Sequence, residues 1–196
     1  MNDLKIPVGI SDFAKIQNYG YYYVDKTGLI ADLLEKETAE VTLITRPRRF
    51  GKTMGMSMLA NFFDIRKDSQ AMFEGLEISK NTALCSEWMN QWPVLFVSFK
   101  DIDGLTFASA KGMLLERLAN LFKAHRYLAL SERVDPDDAK IFKKLSDLVN
   151  GHPTDAMLKT AISLLMQMMR ERKSASLPPI QIPVLPTAFS LRGIPI

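Results

Sequence analysis

The chain has 196 residues, 47% of them apolar and 24% charged, which suits an ordinary soluble globular protein with one hydrophobic core. Its 25 basic and 22 acidic residues leave a formal charge of +3, too balanced to argue for a nucleic-acid or membrane partner, so any basic site must be local. The single Cys85 excludes an internal disulfide, the first residues lack a signal-peptide pattern, and no apolar run approaches the roughly 20 residues that cross a bilayer, which makes the cytosol the expected compartment.

In chain order, residues 21–24 (YYYV) are aromatic and β-branched and suit a short strand. Asp25 or Thr27 then caps a helix with Leu29, Ile30, Leu33 and Leu34 on one face, and Lys26 is read as solvated. Residues 41–45 (VTLIT) form a continuous β-prone run, as in a parallel strand buried on both faces. A helix from Lys52 to about Ile65 follows, with Met58, Leu59, Phe62 and Phe63 on one side. A second buried strand is expected at 94–99 (VLFVSF), far enough from the first for a crossover helix, so a parallel sheet is favoured.

Three helical patterns come next. The first, 107–128, carries Leu114, Leu118, Leu121 and Phe122; the second, 136–149, starts at Pro136 and turns Ile141, Phe142, Leu145 and Leu148 inward; the third, 154–172, is rich in methionine. From Ser174 to Ile196 the composition changes, with one charged residue, Arg192, and five of the ten prolines. Proline removes the donor that a central strand needs, so this segment is a poor candidate for the next strand of a sheet.

The chemistry concentrates at residues 46–53, RPRRFGKT. In the phosphate-binding fingerprint G-x-x-x-x-G-K-[ST], backbone amides wrap phosphates at a helix N-terminus, the lysine reaches the β and γ phosphates and the hydroxyl ligates magnesium. Gly51, Lys52 and Thr53 fit that pattern between a β-prone run and an amphipathic helix, whereas Arg46 stands where the first glycine is expected. Pro47 pushes the residue before it toward extended backbone, so this loop leaves its strand by a different path. Arg48 and Arg49 add charge that either meets a γ-phosphate or is simply solvated. His125 and His152 have no partners at ligand spacing and are read as structural or solvated, Cys85 lacks a nucleophile's partner and is read as a small buried hydrophobe, and Met157, Met166, Met168 and Met169 are read as adaptable core or partner-facing packing.

The blocks IPVGISDF (6–13), YYYVDKT (21–27), VTLITRPRRFGKT (41–53), SMLANFFD (57–64) and WPVLFVSFKD (92–101) together resemble the bacterial AAA-ATPase-like proteins. Members of that family typically begin with an ATPase-like domain and end with a PD-(D/E)XK-type nuclease domain. The resemblance implies an AAA-ATPase-like domain at 5–172, with 173–196 as a proline-rich apolar tail. It also implies an α/β, P-loop NTPase-like three-layer fold with a parallel sheet, incomplete at the C-terminus.

For function it implies ATP and Mg²⁺ as cofactors. Lys52 would neutralise phosphates in the catalytic role, Thr53 would hold the metal, and Arg48, Arg49, Phe50, Gly51, Lys52, Thr53 and Met54 would cradle the nucleotide, with Val8 and Gly9 on its adenine side. Nucleic acid enters only through the family's nuclease domain, which lies outside this chain. Family members follow the last helix with a strand reading roughly L-I-D-E-Y-D, whose acid serves the metal and the attacking water. Here SLPPIQIPVLP stands in that place, and Asp101 is a weak substitute, set off from its strand by Lys100. The expectation is therefore a chain truncated before that acid, with an out-of-frame tail and doubtful hydrolysis. The rival readings are a basic nucleic-acid-binding module built on Arg46, Arg48, Arg49 and Lys52, and a small-molecule P-loop kinase.

Overall fold

The computed structural model describes residues 4–35, 42–45, 47, 49–99, 102, 105–147 and 155–173. They fall into two compact units, divided between Phe96 and Val97. Among them no helix is long and apolar enough to cross a membrane.

The first unit opens with a helix that the hydrophobic pattern alone did not signal, α1 (Phe13–Asn18). Asp12 caps it by accepting a hydrogen bond from the Lys15 amide at 3.3 Å, which satisfies one of the amides left over at every helix start. Helix α2 (Gly28–Glu35) buries Ile30 and packs Leu29, Leu33 and Leu34 partly against the same core, as expected. Helix α3 (Lys52–Phe63) buries Met58, Leu59 and Phe62 and half-buries Phe63. Between α3 and Trp92 the chain makes α4 (Gln70–Phe73), a 3-10 turn at Glu77–Lys80 and α5 (Thr82–Trp88).

The core of this unit is aromatic. Phe13, Ile30, Met58, Leu59, Phe62, Phe73 and Ile78 form one buried cluster. Phe13 meets Phe73 at 4.9 Å between ring centres, and Phe62 meets Phe73 edge-on at 5.3 Å. Such edge and tilted contacts add to plain area burial. A satisfied polar knot holds the end of α3. The Asn90 side-chain amide donates to the carbonyls of Asn61 (3.1 Å) and Asp64 (2.9 Å), its oxygen accepts from the Ser69 amide (2.9 Å), and the Ser69 hydroxyl donates to Asn61 (2.8 Å).

The expected α/β three-layer fold with a parallel sheet is not what forms. The structure is mostly helical, and among the described residues β pairing amounts to one isolated parallel bridge, Asp64 with Trp92. A β-prone run becomes a strand only when a neighbour completes its ladder, and among the described residues none of the three expected runs has one. In 21–24, the Tyr21 and Tyr22 amides donate back to Ile16 (3.0 Å) and Lys5 (2.8 Å), while Tyr23 packs edge-on against Phe13 at 5.4 Å. In 42–45 Leu43 is exposed rather than buried on both faces, and Val41 lies outside the described residues. Residues 94–99 divide between the two units at Phe96, so they do not act as one strand.

The second unit is a helical assembly: α6 (Phe107–Ala124), a 3-10 turn at Arg126–Leu130, α7 (Pro136–Ser146) and α8 (Asp155–Lys173). Thr106 caps α6 by accepting from the Ser109 amide, and Asp135 caps α7 just before Pro136, as a first-turn proline favours. Leu118 and Phe122 of α6, Phe142 and Leu145 of α7 and Leu165, Met168 and Met169 of α8 are buried. Ile141, expected inward, is 40% exposed. Met168 and Met169 thus fill core while Met157 and Met166 are half-buried, and His125 is structural: it is buried with Nδ1 3.2 Å from the Tyr127 hydroxyl. Leu148, His152 and the segment from Ser174 lie outside the described residues.

Candidate functional site

The loop that enters α3 turns by a repeated change of backbone sign. Its φ is positive at Arg49 (68°), negative at Phe50 and positive again at Gly51 (77°). Left-handed backbone is nearly free for glycine but costs a residue with a Cβ on the order of 1 kcal/mol. Alternation of this kind turns successive N–H groups toward one side, the arrangement from which anion-binding concavities are made. Gly51 is the N-cap of α3 and has no side chain to offer the first-turn amides, which lie at the positive end of the helix dipole.

Lys52 spans the loop, its ammonium donating to the Pro47 carbonyl at 3.2 Å. Lys52 and Met54 are half-buried and Thr53 is exposed in the first turn. Phe50 is 59% exposed and projects from the loop rather than into the core. The structure therefore gathers Arg49, Phe50, Gly51, Lys52, Thr53 and Met54 at one helix start. Of the adenine-side pair, Val8 is 86% exposed, and a side chain at Gly9 would meet nothing within 4 Å. Arg46, Arg48 and Asp101 lie outside the described residues.

One residue reaches this loop from a distant part of the chain. A Cβ built on Gly51 would stand 3.9 Å from the Nζ of Lys26. Its neighbours explain how Lys26 is placed. The Asp25 carboxylate accepts from the Thr27 amide (2.8 Å) and hydroxyl (2.7 Å) and from the Glu77 amide (2.7 Å), and the buried Thr27 hydroxyl accepts from the Ile78 amide (3.1 Å). Asp25 and Thr27 are thus structural, as expected, and Lys26 between them is exposed, as expected of a solvated cation, with its ammonium beside Gly51. No local pattern could have found it, because Lys26 and Gly51 are 25 positions apart in the sequence.

Partial burial pushes the Asp25 carboxyl up, but the amides of Thr27 and Glu77, the Thr27 hydroxyl and the charge of Lys80 outweigh that and hold it below its ordinary value. Asp64, the acid at the end of α3, is already engaged: both its oxygens accept from Arg66, at 2.9 Å (Nε to Oδ1) and 2.6 Å. Cys85 is half-buried rather than fully buried, its thiol donating to the Ile78 carbonyl and pushed up by burial.

A family model described as predicted AAA-ATPase, AAA-ATPase-like, matches residues 7–172. A protein from Azotobacter chroococcum mcd 1, described as an uncharacterized protein in the vnfD 5′ region, is 39% identical over 100 residues. That match covers 50% of this chain and 18% of the relative, so the chain corresponds to a minor part of the relative's length. No solved structure matches the chain.

Proposed function

Given that this chain belongs to the AAA-ATPase-like family, we propose that it binds ATP with Mg²⁺ at the loop running from Arg46 to Met54. The observation that carries the reading is the sign-alternating backbone at Arg49, Phe50 and Gly51, immediately before an uncapped helix start that bears Lys52 and Thr53. In this reading the amides of residues 48–53 cradle the phosphates. Lys52 exchanges its bond to the Pro47 carbonyl for the β and γ phosphates, and the Thr53 hydroxyl is a ligand for the metal, which supplies charge neutralisation there. Arg48 and Arg49 add charge at the rim. Val8 and Gly9 are assigned to the adenine side on resemblance alone.

The reading is one of binding. Asp64 is committed to Arg66, and the segment in which the family's metal-serving acid was expected lies outside the described residues.

Titration of fluorescent ATP, with Mg²⁺, into the chain and into Lys52→Ala tests it. The variant is expected to bind at least about tenfold more weakly, the scale of one lost charge-assisted contact. Equal affinity in the two proteins removes the loop assignment. Binding of DNA that collapses with salt and ignores ATP would support the basic-module reading instead.

A further inference from the structure

We draw no further inference here: the strongest candidate, the surface patch of the first unit where Leu4, Ile6, Tyr22 and Val24 stand exposed around the bond from the Tyr22 amide to the Lys5 carbonyl, is an unpartnered apolar face, and nothing in the structure shows what covers it.

Discussion

The Ile78 amide donates a 3.1 Å hydrogen bond to the Thr27 hydroxyl, which in turn donates at 2.7 Å to the Asp25 carboxylate. This short relay joins the start of α2 to the turn at Glu77–Lys80 across 51 positions of sequence, and the Thr27 side chain at its centre is fully buried. Removing the hydroxyl while keeping the shape leaves a buried amide without its acceptor. Thr27→Val is therefore expected to cost about 1–3 kcal/mol, whereas Thr27→Ser, which keeps the oxygen, costs less. Urea unfolding of the two variants checks this, and a Thr27→Val protein as stable as the wild type would show that the relay contributes nothing.

Asp25 makes the same relay sensitive to acid. Its carboxyl is held below the ordinary 3.8 in the folded chain. A carboxylate depressed in this way contributes stability that is present above the unfolded value, about pH 4, and is lost as pH falls through the folded value. Asp25→Asn should therefore be less stable than the wild type at pH 7, with the difference narrowing below about pH 4. Unfolding midpoints of both proteins at pH 7 and pH 3 decide it, and a gap that widens in acid contradicts the assignment.

Asn90 combines two demands. Its backbone is left-handed at φ 55°, and its side chain serves Asn61, Asp64 and Ser69. Asparagine tolerates that backbone because its short polar side chain bonds locally. Asn90→Ala loses the bonds and adds strain, for an expected cost of about 2–4 kcal/mol, while Asn90→Gly loses the bonds alone and should be about 1 kcal/mol milder. Equal costs for the two variants would mean that the backbone there relaxes.

Arg49 is the other non-glycine residue at positive φ among those described. Arg49→Gly should relieve that conformation and raise stability by a few tenths to about 1 kcal/mol, the larger unfolded-state freedom of glycine offsetting part of the gain. The same variant should bind ATP more weakly, because it deletes a rim charge. A loss of stability would show that the Arg49 side chain makes a contact that outweighs its backbone strain.

Several elements were legible in the residues because their signals are local. The start of α3 at Lys52 and its buried Met58, Leu59 and Phe62 follow from glycine at the helix boundary and from spacing that recurs every three to four residues. The same holds for α7, announced by Pro136, and for Met168 and Met169 of α8. The sheet was misread for a related reason. VTLIT and VLFVSF are β-prone and apolar, but apolar runs say only that a segment suits burial, and whether it pairs depends on which backbone lies beside it.

By itself the sequence determined the family and most of the helical faces, since each is written in neighbouring residues or in blocks kept in order. Only the tertiary structure decided that the described β-prone runs lack ladders, that Arg49 carries a left-handed backbone, and that Lys26 comes to stand beside Gly51. Those three depend on contacts between segments far apart in the chain, and a contact of that kind leaves no periodicity in the residues on either side of it.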